Sequence, residues 1–224
     1  MWNVNDRCFT KNQANAVSLL EQLFPDIGTD YEAYQPMLFV TLVNAEKAPD
    51  MPHRIVAEDL ALLPFLKIQT EDISFSSPVP WDLLDLWGVS TDQLLDDSLL
   101  NSKKIMPTVV TKITDLLGIP DDDQDHASHP SILVISHPNI QNGAVCAFYP
   151  GILSDIAHQY QTKKLLLLPS SVHEILCLPA TDFNPDEYTT MVREVNLTLE
   201  VGDWLSDHIY LYDLSSDSVS RIDA

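Results

Sequence analysis

The sequence predicts an α+β fold: a single domain with a mixed or antiparallel sheet, a block of three consecutive helices and two later helices. Three observations carry this. Extended apolar runs alternate irregularly with helical ones, three helical runs follow one another between residues 78 and 118, and no strand leads into a glycine-rich turn. The last point excludes both the dinucleotide fingerprint and the phosphate loop. With six glycines and fifteen prolines in 224 residues, the chain is punctuated mainly by proline and by helix ends.

In chain order, Ala16, Val17, Leu20, Leu23 and Phe24 recur at helical spacing over residues 12–24, and Pro25-Asp26-Ile27-Gly28 stops them. Met37 to Val43 reads as a strand. Ile55 to Ile68 contains Pro64, which cannot donate to a ladder, so it is expected at a sheet edge or broken near that proline. Pro78 stands where a first helical residue would, with Val79, Leu83, Leu86 and Trp87 as one stripe and Gly88 placed for a C-terminal cap. Ser90-Thr91-Asp92-Gln93 has the form of a capping box and opens a second helix through Leu94, Leu95 and Leu99. A third helix is expected from Pro107 to Gly118. Asp121 to Asp125 forms a short charged run without large apolar residues, which predicts a solvated loop. Beyond it, Ile132 to Ser136 and Ala144 to Phe148 read as a hairpin-like pair across Asn142-Gly143. A helix follows Pro150-Gly151, then strands at Leu165 to Leu168 and Val172 to Leu178, a helix started by Asn184-Pro185-Asp186-Glu187, a strand at His208 to Tyr212, and a polar tail.

Composition bounds the function. Twelve basic against 33 acidic side chains give a formal charge of −21, which opposes binding to phosphate backbones. An apolar share of 45% is ample for a core, no run approaches a membrane span, and Met1 to Arg7 lacks the pattern of a signal peptide. A cytoplasmic location is expected, and three widely spaced cysteines without a CxxC agree with a reducing compartment.

Four groups of residues taken together resemble one bacterial family. They are Leu42-Val43-Asn44 with Met51-Pro52-His53-Arg54 and Glu58-Asp59-Leu60-Ala61; Leu86-Trp87-Gly88-Val89 with Leu94 and Asn101; Asn142-Gly143-Ala144 with Tyr149-Pro150-Gly151; and Leu168-Pro169-Ser170-Ser171-Val172-His173-Glu174 with Met191-Val192-Arg193-Glu194-Val195-Asn196 and Leu205-Ser206-Asp207. The pattern resembles domain-of-unknown-function family 5688 and, more distantly, family 1444. It spans residues 37–213, leaving a helical segment at 1–36 and a polar tail at 214–224, and the front is shorter than the resemblance leads one to expect. The resemblance implies no known activity and serves to mark residues.

Ser170, Ser171, His173 and Glu174 are the weak catalytic candidates, since serines beside a histidine and an acid suggest a hydrolase-like centre. If Val172 to Leu178 is extended, His173 and Glu174 fall on opposite faces. A triad then needs an acid from elsewhere, such as Asp59 or Asp207, and no Gly-x-Ser-x-Gly elbow exposes a serine. The structural alternative has the serines satisfying turn amides and His173 and Glu174 hydrogen-bonded near the core. No ligand spacing marks a metal, because a second histidine after His173-Glu174 and an EF-hand glycine after Asp121 are missing, while His126, His129 and His137 merely flank a loop. No cofactor is expected. Arg193, Glu194 and Asn196 on the last helix, with Asp59 and Asp207, form a candidate binding set in which Arg193 pairs with Asp207, Glu174 or Asp59. Acid clusters in residues 71–101 and 182–224. The leading expectation is a non-enzymatic module that binds a protein or peptide, with a hydrolase centred on Ser170, Ser171 and His173, or an acidic decoy of a nucleic-acid-binding protein, as alternatives.

Overall fold

The computed structural model describes residues 28–48, 50–69, 74–119, 131–139, 141–169, 171–199 and 202–223. The helix at 12–24, the aspartate run at 121–125, His126, His129 and Ser170 lie outside the described residues. The elements are α1 (Tyr31–Tyr34), β1 (Leu38–Asn44), β2 (Arg54–Ala57), β3 (Leu60–Gln69), β4 (Ser74–Pro78), α2 (Trp81–Trp87), α3 (Thr91–Ile105), β5 (Val109–Lys112), α4 (Ile113–Leu116), β6 (Leu133–Ser136), α5 (Ile152–Gln159), β7 (Lys164–Leu168), β8 (Ile175–Pro179), α6 (Pro185–Asn196), β9 (Ile209–Asp213) and β10 (Ser218–Ile222). The fold is α+β.

The strands form two sheets, and every pairing in both is antiparallel. In the first, β1 lies along one edge of β3, while β2 and β4 share the other. The second has the order β10-β9-β7-β8-β6-β5. One apolar cluster joins the two sheets: Val40 and Leu42 of β1, Leu60 and Leu62 of β3, Leu165 and Leu167 of β7, and Ile175 and Cys177 of β8. Their alternation along each strand sends the other residues to the opposite face, where Leu166, Leu168 and Leu178 meet Val192 of α6. Each buried leucine adds about 1.5–3 kcal/mol to this core relative to exposure.

Pro64 sits inside β3, opposite Val40, and not at a sheet edge. The ladder tolerates it because of where its backbone points. Its carbonyl accepts from Val79 N at 3.0 Å, on the side away from β1. A residue's N–H and C=O leave a strand on the same side, so the missing N–H faces the junction between β2, which pairs as far as Leu62, and β4, which begins at Phe65. Val40 N also turns away from β3 and donates to Ser102 Oγ of α3 at 2.8 Å, so the helix closes that edge of β1.

Several helix ends agree with the sequence reading. Gly88 takes a left-handed φ of 64°, the Ser90 hydroxyl accepts from Gln93 N, and Asn184 caps α6 through Asp186 N. Other stretches differ. Ala144 to Phe148 is a 3-10 helix and not a strand, with Ala144 through Ala147 all buried in the joint core. The expected third helix begins as β5, a run of Val109, Val110 and Thr111 whose branched side chains favour the sheet, and is helical only over α4. Pro78 ends β4 instead of opening α2, whose cap is Pro80. Strand β8 starts at Ile175, three residues later than expected, and the stretch read as a polar tail carries β10, paired with β9.

Candidate functional site

Between β9 and the last turn of α6 runs a loop whose residues Asp203 to His208 reach three parts of the fold. Toward the first sheet, Leu205 O accepts from Asn44 Nδ2 at 2.9 Å, and Ser206 Oγ donates to Asp59 Oδ2 at 2.7 Å. Asp59 belongs to the two-residue turn between β2 and β3, and its carbonyl accepts from Ala45 N at 2.7 Å. Toward α6, Asn196 Nδ2 donates to Ser206 O at 2.7 Å and to Asp207 Oδ1 at 2.8 Å; Trp204 Nε1 also donates to Asp207 Oδ1, at 2.7 Å. Toward β8, Asp203 O accepts from Val172 N, and Asp203 Oδ1 lies 3.4 Å from His173 Nε2.

The centre of this clasp is the Asp59 carboxylate. Tyr210 OH donates to Oδ1 at 2.6 Å, Ser206 donates to Oδ2, His208 Nδ1 lies 3.4 Å from Oδ2, and an Arg221 guanidinium nitrogen lies 3.7 Å from Oδ1. Burial alone would raise the Asp59 carboxyl. The hydroxyls of Tyr210 and Ser206, the residue's own amide and His208 outweigh it, so the pKa is lowered. Asp207 is held low in the same sense: burial raises it, while the hydrogen bonds from Asn196 and Trp204 and the charges of Arg193 and His208 lower it by more. The Tyr210 phenol is pushed far up by burial and by its bond to Asp59.

A second group of polar residues stands at the other end of the loop. Ser171 Oγ accepts from His173 N at 3.0 Å and donates to Glu174 Oε1 at 3.2 Å, which makes a closed serine turn before β8. The His173 imidazole faces elsewhere. Its Nδ1 accepts from Asn142 N at 3.1 Å, so in the neutral ring Nε2 carries the proton toward Asp203. Ser136 Oγ donates to His173 O at 2.8 Å. Gly143 fits under this turn only because it lacks a side chain: a Cβ there would press on the Ser136 hydroxyl and lie 2.6 Å from His173 O and 2.8 Å from His137 N.

The predicted residues therefore separate into three sets. Asp59, Asn196 and Asp207 converge on the clasp, while Ser171, His173 and Glu174 form the turn beside it. Arg193 and Glu194 are exposed on α6; of the three partners expected for Arg193, its charge acts on Asp207, while the arginine beside Asp59 is Arg221. Sequence reasoning did not single out His208, Tyr210, Arg221 or Asp203, whose polar ends belong to strand-like or tail-like stretches. As chemistry, the described residues of the arrangement do not form a nucleophile–base relay. Ser171 hydrogen-bonds to Glu174 and not to the His173 ring, Ser206 is fully buried, and His208 presents the same nitrogen to both Ser206 and Asp59. Among the described residues no three His, Cys, Asp or Glu side chains gather as metal ligands, and no helix is long and apolar enough to cross a membrane. Two of the aspartates in the acidic stretch, Asp92 and Asp96, are paired with Arg54 at 3.1 and 2.9 Å.

At the opposite end of the six-stranded sheet the surface is apolar. Strand β5 is the terminal strand, and Val109 and Val110 are about two-fifths exposed, while Leu116, Leu117 and Ile119 are exposed by 54%, 66% and 52%. Ile113 N donates to Ile132 O, on the β6 side, so by alternation the Val110 amide and carbonyl turn outward from the sheet. A shallow depression of about 350 Å³ lies beside them, lined in part by Val110, Lys112, Asp115, Gln159 and Tyr160.

The family DUF5688, described as a family of unknown function, matches residues 10–214, so the chain belongs to it. That match starts well before residue 37 and takes in most of the segment preceding α1. No curated protein and no solved structure matches the sequence.

Proposed function

We propose that this member of a family of unknown function is a non-enzymatic cytoplasmic module of a bacterial cell that binds a protein or peptide partner. The observation that carries the reading is the exposed apolar surface formed by Val109 and Val110 on the terminal strand with Leu116, Leu117 and Ile119 in and after α4. An extended segment adding to β5 would meet the outward amide and carbonyl of Val110 and would remove these side chains from water. Internal engagement of the polar residues supports the same reading, because Ser171, His173, Glu174, Asp59 and Asp207 are hydrogen-bonded within the fold. A hydrolase centred on Ser171 would need its hydroxyl offered to a substrate, whereas that hydroxyl donates to Glu174; Ser170 lies outside the described residues. The test places a photo-crosslinking amino acid at Leu117 and, as a control, at Thr190 on the exposed side of α6. The expected result is a protein or peptide adduct in living cells at Leu117 and not at Thr190. Equal labelling at both positions, or none at Leu117, would remove this reading.

A further inference from the structure

We propose that the segment joining β5 is a basic and apolar peptide strand, which lodges one large apolar side chain in the depression between β5 and α5 and sets a lysine or arginine against Asp115. This rests on the reading of β5 as a partner edge and adds the chemistry of what pairs there. The pairing of β5 with β6 fixes the geometry. Val110 stands opposite Ile135 and Lys112 opposite Leu133, and Ile135 and Leu133 belong to the apolar cluster between the sheets, so Val110 and Lys112 share that face. Tyr160, just after α5, packs against the same cluster, and its hydroxyl donates to Ser131 O at 2.8 Å, which holds the ring as a wall of the depression.

A strand added to β5 bonds to the outward amide and carbonyl of Val110, and in a directly opposed pair the two side chains lie on one face of the sheet. The partner residue opposite Val110 therefore points to the side on which the depression lies. Val110, Leu133 and Tyr160 line it and suit an apolar group, and its volume of about 350 Å³ takes one large side chain. The rim adds a charge. Asp115 also lines the depression and is exposed. Among the described residues no lysine, arginine or histidine pairs with it, while Lys112 has a partner in the chain. With a formal charge of −21 on the whole chain, this carboxylate attracts a cation and repels an acidic strand. The matching segment is apolar opposite Val110 and basic further along, toward α4.

The test selects a phage-displayed library of random short peptides on the full chain and reads the sequences and affinities obtained. Peptides that combine a large apolar residue with a lysine or arginine on the same face are expected. Two exposed positions lining the depression then separate its parts. Gln159→Trp fills the space and should weaken the selected peptides at least about tenfold; Asp115→Lys should weaken them as much and, on reselection, favour acidic peptides. Val110→Pro removes an amide that points away from β6 and reports on strand addition alone. All three positions are exposed, so the melting temperature should stay unchanged in each variant. Peptides lost with Val110→Pro but indifferent to either Gln159→Trp or Asp115→Lys would overturn this proposal and leave the partner edge standing. Binding that ignores Val110→Pro, or a selection that enriches no peptide, would remove the edge reading and this proposal with it.

Discussion

The clasp around Asp59 and the apolar edge at β5 invert what their residue types suggest. Serine, histidine and aspartate gathered in one place look like chemistry, yet here each is bonded to a neighbour in the fold, and Ser206 and Tyr210 are almost wholly buried. Valine and leucine look like core, yet at β5 and after α4 they stand in solvent. The difference teaches that the partner of a side chain decides its role. In the clasp the Asp59 carboxylate, Ser206 and Tyr210 are hydrogen-bonded to one another, while Asn196 Oδ1 is a buried acceptor without a partner among the described residues, so most of its polar atoms are engaged within the fold. An exposed apolar group has no such engagement within the molecule and is open to recognition.

The strongest way to break this contrast is Asp59→Ala. Removing the carboxylate takes from Ser206 its acceptor, from Tyr210 one of two hydroxyl partners and from Arg221 the farther of its two carboxylates, Asp223 remaining at 2.9 Å, so stability should fall by about 3 kcal/mol in chemical denaturation. A loss within experimental scatter would show that the clasp is not structural. Next comes Gly143→Ala, where the added Cβ meets backbone atoms that cannot move aside, with an expected loss of about 2–3 kcal/mol and a lower soluble yield. His173→Ala should cost about 1–3 kcal/mol, since Asn142 N loses its acceptor. An unchanged melting temperature with loss of a cellular phenotype would instead favour the hydrolase reading.

Acid sharpens the contrast without mutation. Asp59 and Asp207 have lowered pKa values, so between their folded values and the unfolded value near 4 the unfolded chain binds more protons than the native one. Their contribution is fully present above that unfolded value and is lost as pH falls through the folded values. Denaturation midpoints should therefore drop as pH falls from about 5 toward 3, and Asp59→Asn should flatten the drop. The smallest stability effect is expected at the other region: Leu116→Ser should change stability by no more than about 0.5 kcal/mol while removing the adduct formed by the crosslinker at Leu117.

Much of the first level of structure was legible in the sequence, because caps and turns are local. Asn184, Ser90 and Gly88 act within a few residues of themselves. The 3-10 segment was not legible, since a short run buried on all sides has no periodicity to read. Strand β10 was hidden by its half-exposed alternation of Ser218, Val219, Ser220, Arg221 and Ile222, which resembles a tail until β9 is placed beside it. For the clasp, Asp59, Asn196 and Asp207 stood in one candidate set with Arg193 and Glu194. Their common centre depends on Tyr210 and Arg221, whose relation to Asp59 exists only in three dimensions.

The spacing of the clasp along the chain has a consequence for synthesis. Asp59 meets Ser206 and Tyr210 across sequence separations of 147 and 151 residues, and Asn44 meets Leu205 across 161. On the ribosome, the β2–β3 hairpin therefore emerges with a carboxylate whose hydrogen-bond donors have not yet been made, and at ordinary elongation rates it waits on the order of ten seconds for them. During that interval the first sheet can zip its local antiparallel pairs but cannot lock against the second. Final closure is a late, high-contact-order event, and a nascent chain stalled before residue 206 exposes an unsatisfied Asp59 and the uncovered face of β1 and β3 to the chaperones of the cell.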